Sequence, residues 1–176
     1  YNVFSVRFFF VNGIRVSTYS HSNPIYCYIF LKDNKGFISV SGDRVVRLNN
    51  YKTNVEIARV ADRVKALALS PDGRYLAGGS QNGSVYLWDL ENENAETSLY
   101  IKDGTSVHAI TFNNDGSRLA IGNDSGDVIL WDLAESKQLR RLTGHRSNVT
   151  DLEFNADNTL LASSEIELGA QTNATI

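Results

Sequence analysis

His21, Ser39 and Asp43 bring together the three side-chain types of a hydrolytic triad. An imidazole can take the proton of a serine hydroxyl while a carboxylate orients the ring. A triad serine of the G-x-S-x-G kind stands on a strained turn, and no such turn occurs in the chain. His108 alternates with apolar residues in Val107-His108-Ala109-Ile110, as a core or edge side chain of a strand does, rather than standing as a ligand. Asn123-Asp124-Ser125-Gly126-Asp127 has the oxygens of a calcium loop but lacks the spaced Glu that completes one. Tight turns want the same Asn, Asp and Gly. Cys27 has no Cys or His at metal spacing and reads as a small buried side chain. No metal and no cofactor is therefore expected. Arg140-Arg141 and His145-Arg146 form a basic cluster, too narrow for the wide basic face with exposed aromatics that nucleic acid needs.

Composition narrows the classes further. Of 176 residues, 42% are hydrophobic and 21% charged, enough to build a packed core. The net charge of -3 supplies no bulk field for nucleic acid. One cysteine excludes a disulfide-rich scaffold. No apolar run approaches the about 18 residues of a membrane span, so no membrane association is expected. The chain has no Met and starts at Tyr1, which suggests a piece of something longer.

The elements that must position these residues are strands. Short alternating runs such as Ser84-Val85-Tyr86-Leu87-Trp88 are broken by Gly, Asn, Asp or Ser, and helix periodicity is nearly absent. Asn12-Gly13 between apolar runs is a hairpin signal, and Ser70-Pro71-Asp72-Gly73 a turn. Strands are expected over 3–10, 14–19, 25–31, 36–41, 44–49, 55–60, 64–69, 74–79, 84–89, 97–101, 107–112, 117–122, 127–132, 138–142, 149–154 and 159–164.

An internal repeat organises them. Residues 64–89, VKALALSPDGRYLAGGSQNGSVYLWD, align without a gap on 107–132, VHAITFNNDGSRLAIGNDSGDVILWD, at a shift of 43. Residues 25–50 align at a shift of 39, with Asn49-Asn50 in place of Trp-Asp. Another copy begins at Val149, a shift of 42, and loses the pattern from Glu165 onward. Length varies only around the outermost strand, where Glu91 to Glu96 form an acidic turn that reads as a solvated loop or, less simply, a partner-binding one.

A period of about 40 residues, with Leu-Trp-Asp at 87–89 and 130–132 and Gly144-His145, resembles the WD-repeat β-propeller family. The resemblance covers residues 1 to about 164. It implies an all-β protein of four-stranded antiparallel blades. Residues 21–60, 61–101 and 102–142 would be whole blades, 1–20 the end of one and 143–164 the start of one, with 165–176 an atypical tail. An incomplete ring is expected; pairing of the two half blades into a closed four-bladed ring is the less favoured alternative.

The family also implies a hydrogen-bonded set of His, Ser or Thr, Asp and Trp that locks a blade. By position this set is His21, Ser39 and Asp43, with Asn49 replacing the Trp. In the next two copies Val60 and Asp103 replace the His, and Asn82 and Ser125 the Asp, so Trp88 and Trp131 read as packing residues. His145 has the right place, but Glu167 and Asn173 hold its Asp and Trp positions. The implied function is a non-catalytic, cytoplasmic scaffold for protein partners. The partner face would carry Asn23, Arg63, Asp103, Asn123 and Arg146. The alternative is a regulatory or sensor propeller attached to an enzyme or signalling ATPase domain outside this chain.

Overall fold

The structure, a computed structural model, describes residues 4–10, 13–21, 23–50, 53–92, 96–99 and 104–166. These form β-strands and no helix. A two-stranded sheet comes first, β1 (Phe4–Phe10) and β2 (Gly13–His21). Three four-stranded antiparallel sheets follow. The first contains β3 (Ile25–Phe30), β4 (Gly36–Ser41), β5 (Val45–Asn50) and β6 (Asn54–Arg59). The second contains β7 (Val64–Leu69), β8 (Tyr75–Ser80), β9 (Val85–Asp89) and β10 (Glu96–Leu99). The third contains β11 (Val107–Phe112), β12 (Arg118–Asn123), β13 (Val128–Asp132) and β14 (Lys137–Leu142). A two-stranded sheet, β15 (Val149–Phe154) and β16 (Leu161–Glu165), comes last. This is the all-β propeller architecture of three whole blades and two half blades. The β1–β2 and β15–β16 pairs are separate sheets, so the closed four-bladed alternative is discarded.

The turns explain why the strands stop where they do. Between the first and second strands of successive copies, the left-handed position is held by Asn34, Gly73, Gly116 and Asn158, with φ from 57 to 80°. Asn and Gly are the residues that adopt this conformation at least expense. One residue earlier, Asp33, Asp72, Asp115 and Asp157 each accept the backbone N–H two positions on, at 2.8–3.0 Å. At the next turn Gly83 and Gly126 take φ of 86 and 80°, and Arg44 takes the same role at 63°. Gly13 opens β2 opposite Phe10, and Asn12 of the hairpin expected at Asn12-Gly13 lies outside the described residues. The last strand starts at Leu161 rather than 159, because Thr159 is tied to Asp157 through both its N–H and its hydroxyl.

The innermost strands share one irregularity. The register slips between Ile25 and Cys27, Val64 and Ala66, Val107 and Ala109, and Val149 and Asp151. Each slip is a bulge, and the extra residues are Tyr26, Lys65, His108 and Thr150.

The sheets stack through their inner strands, β3 against β7, β7 against β11 and β11 against β15. The core lies at these junctions. Ala66, Ala68 and Ala77 of the second sheet meet Val107, Ile110 and Phe112 of the third. Ala109 and Ala120 of the third meet Val149 and Leu152 of the last. Small residues on one side admit large ones from the other, which keeps packing dense. Ile38, Val40 and Val46 pack with Val64, Leu76 and Trp88 at the first junction.

Candidate functional site

His21 ends β2, so it belongs to the β1–β2 sheet by pairing and reaches the β3–β6 sheet by its side chain. Its Nε2 lies 2.8 Å from Ser39 Oγ on β4. Its Nδ1 lies 2.6 Å from Arg47 Nη1 on β5 and 3.5 Å from Asp43 Oδ2. Arg47 Nη1 also donates to Asp43 Oδ2 at 2.7 Å. Asp43 further accepts the Ser41 hydroxyl at 2.6 Å and the Val45 N–H at 3.1 Å. Asn49, in the Trp position, donates its amide to Ser39 Oγ at 2.9 Å and to the Arg47 carbonyl at 3.1 Å. The expected trio is therefore brought together, with Arg47 and Asn49 inside the same network.

The partners fix what this network can do. A guanidinium only donates, so Nδ1 of His21 is the acceptor and Nε2 carries the proton. Nε2–H then donates to Ser39, the reverse of what a general base would do. Ser39 is 0% exposed and His21 3%, so no substrate reaches them in this arrangement. Burial, then the Arg47 charge, lowers the His21 pKa against the pull of Asp43. For Asp43, burial raises the pKa, but hydrogen bonds from Ser41, Arg47 and Val45 and the Arg47 charge outweigh it and bring it down to about 2. The result is a neutral ring, a cation and an anion joining β2, β4, β5 and the turn between the last two.

The other copies solve the same position differently. Gly78 and Ile121 stand where Ser39 stands. A Cβ on Gly78 would come within 2.8 Å of Trp88 Cζ3, so the glycine makes room for the indole. Trp88 is 5% exposed and stacks on Tyr86, centroids 5.6 Å apart. Trp131 packs against the second junction. Neither indole N–H has a partner among the described residues. At the last sheet His145 Nε2 meets Ser163 Oγ at 2.7 Å, as His21 meets Ser39. Its nearby carboxylate is Glu165, with Oε1 3.7 Å from Nδ1, where sequence position pointed to Glu167. Glu165 Oε2 also accepts the N–H groups of Arg146 and Ser147 at 2.5 and 2.8 Å. The Ser147 N–H first, against the opposing effect of burial, and then the Arg146 N–H and His145 hold its carboxyl low. Glu167 and Asn173 lie outside the described residues.

Of the expected partner face, Asn23, Arg63 and Arg146 are exposed at the starts of inner strands. Asp103 lies outside the described residues. Asn123 does not belong to that face. It is 2% exposed, its amide donates to Thr105 Oγ1 at 3.1 Å, and its Oδ1 accepts the Ser125 and Asp127 N–H groups at 3.0 Å. The tight turn takes the oxygen of that side chain, and Thr105 accepts from its amide.

Sequence reasoning missed the bulge residues, which stand beside this face. Tyr26 is 41% exposed. Lys65 Nζ donates to Ser106 Oγ at 3.1 Å, and His108 Nε2 pairs with Asp124 across a turn. Bulges re-aim side chains, and four copies place theirs at one repeat position. The spacing of apolar residues could not show this, because a bulge keeps the apolar pattern while displacing its partner strand. No group of three or more His, Cys, Asp or Glu suited to a metal occurs among the described residues. Nor is any helix there long and apolar enough to cross a membrane. Cys27 is largely enclosed, and burial pushes its thiol up to about 12.

Residues 58–89 match the family model described as WD domain, G-beta repeat, and residues 93–167 match the Vps8 beta-propeller. The target of rapamycin complex subunit wat1 of Schizosaccharomyces pombe is 27% identical over 85 residues, 46% of this chain and 27% of that protein. A chain of the mitotic checkpoint complex superposes with a TM-score of 0.82 at 20% identity, over 93% of this chain and 52% of that one. The structure of U3-55K superposes at 0.67 and 20% identity, over 75% of this chain and 43% of that one. The RRP9 WD40 repeats give 0.67 at 20% identity, over 75% and 42%. The chain thus spans about a quarter of the curated relative and about half or less of these solved chains. Two ungapped Leu-Trp-Asp copies, four-stranded sheets stacked by their inner strands and matching repeat models agree: the chain carries WD repeats and has the β-propeller fold.

Proposed function

We propose that this chain is a non-catalytic platform for protein partners, used through the face at the starts of its inner strands. The observation that carries the reading is the bulge repeated in β3, β7, β11 and β15. It sets Tyr26, Lys65, His108 and Thr150 beside the exposed Asn23, Arg63 and Arg146. The triad-like trio supports no competing reading, since Ser39 is sealed from solvent and accepts the histidine N–H as a hydrogen bond. His21, Ser39, Asp43 and His145 are on this reading blade-locking residues, and Trp88 and Trp131 fill the same place by packing. Two similar proteins are named for complexes, the target of rapamycin complex and the mitotic checkpoint complex, which is consistent with protein partners here. The cytoplasm is the proposed location.

The test is co-purification from cells of the source organism with Arg63→Glu and Arg146→Glu together. Loss of specific partners from the double variant, with an unchanged circular dichroism spectrum, is the expected result. Recovery equal to the parent would remove this face from the proposal.

A further inference from the structure

The first two whole blades leave a groove between them, about 880 Å³, at the C-terminal ends of β3 and β7. That is the end of the inner strands away from the bulges. Its apolar lining is Leu31, Leu48, Val55, Ile57, Trp88 and Leu90, of which Val55 is 47% exposed. Its charged lining is Asp33, Glu56, Asp72, Asp89 and Glu91, against the one ammonium of Lys32.

Neighbouring cations do not satisfy these carboxylates equally. Arg59 binds Glu56 at 2.6 Å and Arg74 binds Asp89 at 2.7 Å. Lys35 approaches Asp33 only to 3.9 Å, and Arg74 approaches Glu91 only to 3.8 Å. Asp72 accepts the neutral Ser70 hydroxyl at 2.5 Å and the Arg74 N–H at 3.0 Å. Those donors keep its carboxyl below the usual range, hence ionised at neutral pH. Asp33, Asp72 and Glu91 are thus the carboxylates without a close ion pair, and of these Asp72 and Glu91 lie nearer Trp88 in the sequence. Trp88, on the wall between them, has its indole N–H unpartnered while its residue is 5% exposed.

We propose that this groove docks a segment of a partner protein that seats a bulky apolar side chain on Val55 and Trp88 and sets lysine or arginine against Asp72 and Glu91. The proposal rests on the platform reading and adds a second surface to it, with the class of segment it takes. The carboxylate lining disfavours anionic lipids and acidic peptides.

Trp88 and Trp131 are the only tryptophans, so a Trp131→Phe background makes the fluorescence report on the groove. The full chain is titrated with three peptides, acetyl-Lys-Arg-Phe-Leu-Lys-Arg-amide and analogues with Glu or Gln in place of the four basic residues. The basic peptide should shift the Trp88 emission saturably, weaken with added salt, and leave the acidic analogue silent. Asp72→Asn with Glu91→Lys should weaken it about tenfold, the sum expected of two exposed charge contacts, one of them reversed in sign. Asn keeps the turn acceptor at 72, and an unchanged melting temperature shows that the fold is intact. Equal binding of all three peptides, absence of binding, or an affinity indifferent to the double substitution would each overturn the groove proposal. If it fails while Arg63→Glu with Arg146→Glu still loses partners, the platform reading stands without the groove.

Discussion

A neutral histidine held between a cation and a serine hydroxyl has a consequence in pH. Unfolded, His21 would protonate near 6.5; folded, burial and then Arg47 lower that value. As pH falls below about 6.5, the unfolded chain binds the proton first, so stability is lost with falling pH. Arg47 and Asp43 are the charges facing the ring, and the cation's approach is the closer, at 2.6 Å against 3.5 Å. Asp43 adds a second loss at lower pH, between the usual 3.8 and about 2. Urea midpoints from about pH 8 to 5 should therefore fall in the parent and fall less in His21→Gln. His108 and His145 are common to both chains and cancel in the difference. Parallel curves would mean that the ring is not held neutral by this network.

At the scale of the strand and its turns, the copies can be read against each other. The left-handed position before the third strand is glycine at 83 and 126 but Arg44 in the first whole sheet. A non-glycine residue held there costs about 1–3 kcal/mol. Its gain is one exposed hydrogen bond, from Arg44 Nη1 to the Ala61 carbonyl at 3.2 Å. Arg44→Gly should stabilise the chain by about 0.5–1 kcal/mol, since the greater unfolded freedom of glycine offsets part of the relief. A lower denaturation midpoint would show that the Ala61 contact outweighs the strain. Gly79 and Gly122 occupy another shared position, and there a Cβ would overlap Val107 or Val149 of the next sheet. Gly79→Ala should cost about 1–3 kcal/mol as overpacking. Adding Val107→Ala should recover part of that, which a double-mutant cycle on thermal or urea unfolding would measure. Additive losses would argue against contact between the two.

Much of this was legible because the repeat compares the chain with itself. Turn residues such as Gly73, Gly116 and Asn34 recur at fixed offsets, so the strand limits fall within about two residues of those expected. The trio His21, Ser39 and Asp43 was legible only through the family resemblance, since the next two copies carry Val60 and Asp103 in place of the His. Arg47 was not, because its counterparts are Tyr86 and Ile129, and no offset marks a lone cation. Glu165 was missed because its counterparts are Ser41, Ser80 and Asn123, and only a longer side chain reaches back to His145 from that place. The bulges were invisible since register is a property of two strands together.

Over the whole molecule, stability should be graded along the stack. Each sheet of a propeller buries its faces only against its neighbours, so sheets with a neighbour on both sides open least. The β7–β10 and β11–β14 sheets are stacked on both sides through β3, β7, β11 and β15. Their second strands are well enclosed, as is β4: Gly36 to Ser41, Leu76 to Ser80 and Leu119 to Asn123 are buried without interruption, and each strand is paired on both edges. β16 is paired on one edge only in its sheet, and Ala162 to Ser164 are exposed. The trailing side of β15 carries exposed Asp151 and Glu153, where Ala66, Ala68 and Ala109 are packed in other copies. Native-state hydrogen exchange should therefore protect β8 and β12 about a hundredfold or more over β16. A glycine-to-alanine change at the β8–β11 contact should lower protection in both neighbouring sheets, because the junction is shared. Uniform protection from β3 to β16 would instead mean that the sheets unfold as one unit, and that the junctions are stronger than the packing at any single face implies.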